Sequence, residues 1–276
     1  EQRDKIAAIV GNADSATFEN TILAYEESGR MIDHVGRVFF ALTEADKTPE
    51  LTEIEKKVKP MLTELENEIS FNDSLFDRIR QVYDREHETL KGEDQKLLEE
   101  TYKEFVRKGA LLPTEKKERM KAINLRITDL QQQWGDKILE ATNDAVVWVD
   151  NKEKLAGLSD ADIEQCKKDA ESRGGKAPYA IVIANTSQQP LLSSLDNRDL
   201  RRQVYEASVH RTDGTGKHNT YAIVCEIAKL RAEQAELMGY KPYTLDFEVK
   251  DKIDLGATLI FSVGGISPSV SASHDS

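Results

Sequence analysis

Residues 18–42 read FENTILAYEESGRMIDHVGRVFFAL, and this stretch decides the fold. Its apolar face runs Phe18, Ile22, Tyr25, Gly29, Ile32, Val35, Phe39 and Leu42, in steps of three and four. A helix brings such positions to one side, so the run is an amphipathic helix facing a core. Thr17 stands where a side-chain oxygen can cap the first turn, with Glu19 near the positive end of the helix dipole. Gly29 weakens the middle and leaves room for a close helix neighbour.

The same period continues outward. A second stripe is Leu51, Ile54, Val58, Met61, Leu65 and Ile69, with Pro60 inside it as an expected kink. A third is Leu75, Ile79 and Val82, followed by Glu86 and Leu90. A fourth is Leu97, Leu98, Tyr102, Phe105 and Val106, ended by Lys108-Gly109. Pro113-Thr114 opens the next helix, which carries Met120, Ile123, Ile127, Leu130, Trp134, Ile138 and Ala141 and is the longest of the chain. The pattern then changes. Val146–Val149 and Tyr179–Ile183 are short β-type runs. Between them Ser159-Asp160-Ala161-Asp162 is a capping box for a helix through Ile163, Cys166 and Ala170, stopped at Arg173-Gly174-Gly175. Helices return from Asp196 to about His210 and from Asn219 to Met238, around the loop Thr212–Gly216. The expected fold is mainly α: a multi-helix lobe with a small β element near 146–183.

Composition narrows the partners. The chain has 276 residues, 38 Lys plus Arg against 50 Asp plus Glu, and a net charge of −12. No basic run is longer than a pair, and a nucleic-acid binder needs clustered cations to displace phosphate counterions. Nucleic acid is therefore not expected as a partner. No stretch approaches the ~20 apolar residues of a membrane-spanning helix, so no membrane is expected either. The two cysteines, Cys166 and Cys225, are too few for a secreted disulfide framework and read as reduced, mostly packed thiols. From Gly256 to Ser276 there is no Lys or Arg, one acidic residue (Asp275) and six serines. In a chain that is 32% charged, this end reads either as foreign to the fold or as an edge strand, Thr258 to Val263, with a loose terminus.

No catalytic constellation emerges. His87-Glu88-Thr89-Leu90-Lys91 is half of a zinc-peptidase helix. Two His at i and i+4 must face one metal, and Lys91 would repel it. Gly214-Thr215-Gly216-Lys217 lacks the earlier glycine of a phosphate loop, and His218 replaces its Ser or Thr; Gly174-Gly175-Lys176 fails likewise. The five histidines are not clustered in sequence. His210 and His218 flank one loop and are close enough along the chain to meet. No Gly-x-Ser-x-Gly elbow occurs, and Cys225 has no identifiable partner base. No catalytic, cofactor-binding or metal-ligating residue is assigned.

Several segments in order carry a resemblance. They are Thr17-Phe18-Glu19-Asn20-Thr21-Ile22 leading to Arg37–Leu42, then Thr101–Ala110, then Asn185–Leu192 before Asn197–Arg201, then Leu230–Tyr240. Together they resemble the N-terminal region of bacterial peptidyl-dipeptidases, zinc metallopeptidases of the thimet oligopeptidase family. The resemblance runs from about Lys5 to Tyr243 and blurs through Thr244–Lys252. It implies a helical half of an enzyme in which two halves enclose a channel for short peptides. Zinc sits there on an HExxH helix and a downstream Glu, and the enzyme releases C-terminal dipeptides. No HExxH occurs in this chain, so no ligand or base carries over. The expected organisation is an N-terminal helical lobe over 1–253, with a β-containing insert at about 145–185, and an unmatched tail over 254–276. The expected function is one wall of the substrate channel, inactive alone, without a cofactor in this chain and with zinc in the full-length family. An orphaned apolar face would favour self-association. The resemblance implies the cytoplasm, or the periplasm if a signal segment was removed before Glu1. A stand-alone helical interaction module is the alternative; it would need polar outer faces throughout. A generic acidic helical scaffold would explain the periodicity but not the ordered motifs.

Overall fold

The computed structural model describes residues 1–213 and 216–240. It is mainly helical with one small antiparallel sheet. The blurred continuation after Tyr243 and the tail over 254–276 lie outside the described residues, as do Gly214 and Thr215 of the loop. The described chain divides into two compact units. One comprises 1–129 and 229–240, the other 130–213 and 216–228.

The first unit opens with α1 (Gln2–Gly11), a helix that the sequence reading misses because only Ile6 and Ile9 face inward. A π-helical turn, Phe18–Leu23, runs into α2 (Ala24–Ser28), and after Gly29 comes α3 (Arg30–Ala45). Thr17 caps this start. Its Oγ1 accepts from the Asn20 N–H at 3.2 Å, while the Thr17 N–H donates to Asn20 Oδ1 at 2.8 Å. The box thus closes through Asn20, satisfying amide groups that the first turn cannot pair internally. Gly29 does have a neighbour, since a side chain there would meet Gln2 Nε2 of α1 at 3.4 Å.

Four more helices complete the unit: α4 (Pro49–Ser70, passing through Pro60), α5 (Asp73–Glu86), α6 (Gly92–Lys108) and the first part of α7 (Thr114–Asp144, 31 residues). Gly109 ends α6 at φ 104°, with the Ala110 N–H bonding back to Phe105 O at 2.9 Å. This is the left-handed turn that glycine adopts without strain. The core gathers Ile22, Leu75, Ile79, Val82, Leu98 and Phe105, all at most 2% exposed. Each such side chain contributes about 1.5–3 kcal/mol of burial. Phe76 stacks on Tyr102 with centroids 5.7 Å apart, and Tyr25 meets Phe105 edge-on at 5.4 Å. The 229–240 segment is held to α7 by polar contacts. Arg119 forms a two-pronged pair with Glu233 at 2.6 and 2.8 Å. Gln234 donates to Asn124, and Asn124 to Asn67, both at 2.6 Å.

The expected inward face of residues 18–42 holds only over its first half. Phe18 and Ile22 are buried, but Val35 and Leu42 are each 56% exposed. Met31 and Val38 join them on the same side of α3. Between Ile32 and Leu65 no described apolar side chain belongs to either core. The α3–α4 hairpin is fastened there by charge instead. Glu55, a buried residue, lies 2.9 Å from Lys47 and 2.7 Å from Lys59.

In the second unit β1 (Val146–Val149) pairs antiparallel with β2 (Tyr179–Val182), Val147 opposite Ile181. Between them α8 (Asp160–Ser172) is capped by Ser159, which accepts from the Asp162 N–H at 3.2 Å. Its Cys166 and Ala170 are buried on the sheet side. Then follow α9 (Asn185–Ser194), unannounced by any apolar period, α10 (Arg198–Val209) and the start of α11 (Tyr221–Leu237). The core joins Val147, Val149, Leu155, Ile181, Ile183 and Leu200. One knot closes it. The Asp196 N–H donates to Ala156 O at 2.8 Å, and Gly157 sits beside it at φ 92°. A Cβ on Gly157 would lie 2.1 Å from Ser194 O.

Candidate functional site

Residues 12–20, which lead into the first resembling segment, form a braced turn. Arg78 on α5 donates to Asn12 O at 2.9 Å, Asp14 O at 3.2 Å and Asn20 Oδ1 at 3.1 Å. The Phe18 N–H donates to Glu86 Oε2 at 3.2 Å, and Arg85 reaches Ala16 O. The polar side of α5 thereby organises residues 12–20. Sequence reading used α5 only for its apolar stripe, so these charged partners were missed. Their spacing on one helix side, Arg78, Arg85 and Glu86, was the available signal.

Beside Gly29 lies a cavity of about 330 Å³. Tyr25, Gly29 and Ile32 form one side, Leu62 and Leu65 of α4 another, and Glu104 with Lys108 of α6 a third. Lys108 sits 2.9 Å from Glu66 and 2.5 Å from Glu104. Burial alone would lower its ammonium, but these two carboxylates outweigh that and raise it. Burial pushes the Tyr25 phenol up to about 12, with Glu104 adding to the effect. Nothing in the hydrophobic pattern announces this cavity, because it arises where Gly29 leaves a notch.

The residues weighed for chemistry are placed apart and paired off. His87 Nε2 is 3.0 Å from Glu99 Oε1, and its ring lies 4.6 Å from that of Tyr83. Hydrogen bonds from His87 and then Lys103 hold the Glu99 carboxyl below its usual range. His210 and His218 do not pair with each other. His210 Nδ1 takes Asp213 at 2.5 Å, which raises its imidazole. His218 Nε2 takes Asp144 at 2.9 Å. Lys217 also reaches Asp144, at 2.5 Å, and is the larger cause of that carboxyl's lowering. Gly174 and Gly175, at positive φ, terminate α8 rather than cradle a ligand. Cys166 is buried, its thiol pushed up to about 11 by burial. Cys225 is exposed on α11 rather than packed as expected. Among the described residues no three His, Cys, Asp or Glu side chains come together as a metal site. No described helix is long and apolar enough to cross a membrane.

The fold therefore defines a class first: a mainly helical protein with one small two-stranded antiparallel sheet. Its kinship comes from comparison. Over 244 residues the chain is 34% identical to the dipeptidyl carboxypeptidase of Salmonella typhimurium, a match covering 88% of this chain and 36% of that protein. The dipeptidyl carboxypeptidase of Escherichia coli is 33% identical over the same length and shares. Oligopeptidase A of Escherichia coli is 27% identical over 249 residues, covering 87% of this chain and 36% of its own. No protein-family model matches. The chain is a relative of these peptidases, and it spans about a third of the length of the curated relatives it matches.

Proposed function

We propose that the chain is the N-terminal, channel-wall part of a zinc metallopeptidase of the thimet oligopeptidase family, one that removes C-terminal dipeptides from short peptides. The observation that carries this reading is the 34% identity to a dipeptidyl carboxypeptidase along 88% of the chain. The sequence holds no HExxH. In this reading zinc, its ligands and the water-activating Glu belong to the other part of the enzyme, and this chain contributes helices and peptide contacts. On that basis the isolated chain has no peptidase activity. The parent enzyme works in the cytoplasm, or in the periplasm if a signal segment precedes Glu1 in the whole protein.

The apolar row on α3 supports the same reading over a stand-alone interaction module, whose outer faces would be polar throughout. Met31, Val35, Val38 and Leu42 recur at four, three and four residues, and each is more than half exposed. Apolar surface gathered in one patch marks a face that meets another surface. In the isolated chain it favours self-association. The test is mass spectrometry of a short peptide incubated with purified chain and zinc. No dipeptide release is expected. Metal-dependent release of C-terminal dipeptides by this chain alone would overturn this division of labour.

A further inference from the structure

We propose that His218 is a proton-operated latch that fastens the start of α11 to the last turns of α7. This stands apart from the peptidase reading and concerns how firmly the loop between α10 and α11 is held.

His218 lies near the end of that loop, just before Tyr221 opens α11, and its side chain is only 12% exposed. Its ring meets two carboxylates of α7, Glu140 and Asp144, which stand four residues apart and so share one side of that helix. Nε2 is 2.9 Å from Asp144 Oδ2, within hydrogen-bond distance. Nδ1 is 3.7 Å from Glu140 Oε2, too far for a hydrogen bond. Among the described residues this buried nitrogen has no hydrogen-bond partner.

Protonation resolves this mismatch. A neutral imidazole carries one N–H and one lone pair. With the proton on Nε2, the bare Nδ1 faces Glu140. In the other tautomer the bare Nε2 faces Asp144. Either way a lone pair is turned toward a carboxylate. The imidazolium, with a donor on both nitrogens, suits both partners at once. Glu140 is 69% exposed, so its side chain has room to move and close the gap to the ~2.8 Å of a charge-assisted bond.

The other charges around the ring are spoken for. Lys217 sits 2.5 Å from Asp144 and opposes a second positive charge there, which makes Glu140 the deciding group. Lys137 of α7 donates to Lys217 O at 3.2 Å. Arg211 donates to Ser208 O and Thr142 Oγ1 at 3.0 and 3.1 Å, and Arg173, just after α8, to Asn143 O at 2.5 Å. At the far end of the loop His210 holds a single carboxylate, Asp213, at an exposed position. Histidine changes charge between about pH 5 and 8. The latch is therefore closed at the acidic end of that range and opens as pH rises through it.

The test is amide exchange of the purified chain by NMR, corrected for chemical rates. The Thr220 and Val224 N–H groups report on the latch, since they donate to Thr212 O and Thr220 O at 2.9 and 3.0 Å. Their protection is expected to rise about three- to fivefold from pH ~7.5 to ~5.5, the effect of one ion pair near the surface. His218→Gln should abolish that rise. Glu140→Gln, at an exposed position, should remove most of it while circular dichroism stays helical. His210→Gln should leave it in place. The proposal is overturned if protection at Thr220 and Val224 is flat across this range, if Glu140→Gln keeps the full rise, or if His210→Gln removes it and His218→Gln does not.

Discussion

Helices α3 and α5 carry apolar rows of the same quality and meet opposite fates. On α5, Leu75, Ile79 and Val82 are completely buried. On α3, Met31, Val35, Val38 and Leu42 are 54–56% exposed. Both rows repeat at four and three residues. The difference lies in what surrounds them: α5 has the aromatic rings of α6 and the braced 12–20 turn against it, whereas among the described residues the outward side of α3 faces no core. Periodicity therefore reports which side of a helix is apolar. It does not report whether the covering surface lies within the same compact unit.

The sharpest way to break this comparison is a pair of truncations. Ile79→Ala should cost about 2–5 kcal/mol in denaturant unfolding, the usual cost of a core cavity. Val35→Ala should stay within about 0.5 kcal/mol, as exposed changes do. Comparable losses at both sites would show that α3 is covered after all. Next in size is association. Val35→Glu with Val38→Glu should weaken self-association of the isolated chain by about tenfold, equivalent to ~1.4 kcal/mol, in sedimentation velocity. If the variant associates as before, the α3 row is not the sticky face.

Two caps extend the comparison. Thr17 caps the buried end of the stripe, and Thr48 caps α4 at the open hairpin, accepting from the Leu51 N–H at 3.2 Å. Thr17→Ala should cost about 1 kcal/mol of global stability. Thr48→Ala should cost less globally and appear chiefly as faster amide exchange in the hairpin. The smallest effect concerns pH. Burial would raise the Glu55 carboxyl, but hydrogen bonds from Lys59 and then Lys47 hold it below its usual 4.5. A depressed folded value means the stabilisation is fully present above the usual carboxyl range and is lost as pH falls through it. Hairpin amides should exchange faster, relative to chemical rates, on going from pH ~6 to ~4. Glu55→Gln should flatten that dependence; an unchanged slope would remove Glu55 from the account.

Much of the helical frame was legible. Thr17, Lys108-Gly109, Pro113-Thr114 and Ser159 mark ends by local chemistry, so sequence alone locates them. The pairing of Val146–Val149 with Tyr179–Val182 was legible as two short runs, though not as a register. Helix α1 was not, because two inward isoleucines make no period, and α9 was not, because no apolar period announces it. The π-helical turn was hidden for another reason. It sits under long-range contacts from Arg78 and Glu86, which no local window contains. The candidate cavity was illegible in the same way, since its walls come from Tyr25, Leu65 and Lys108, far apart in the chain. The pairing of His218 with Asp144 joins residues 74 apart and was equally out of reach.

Gly157 has a consequence for how this protein can vary. Its left-handed backbone and the carbonyl 2.1 Å from any added carbon leave no room for even alanine. In a library covering every position, 157 should tolerate nothing but glycine, while its neighbours Ala156 and Leu158 accept several residues. The bond from Asp196 to Ala156 joins residues 40 apart in the chain, so a side chain at 157 would disturb a long-range contact as well as its own turn. One methyl group at this position would therefore be felt at both ends of the segment it ties together.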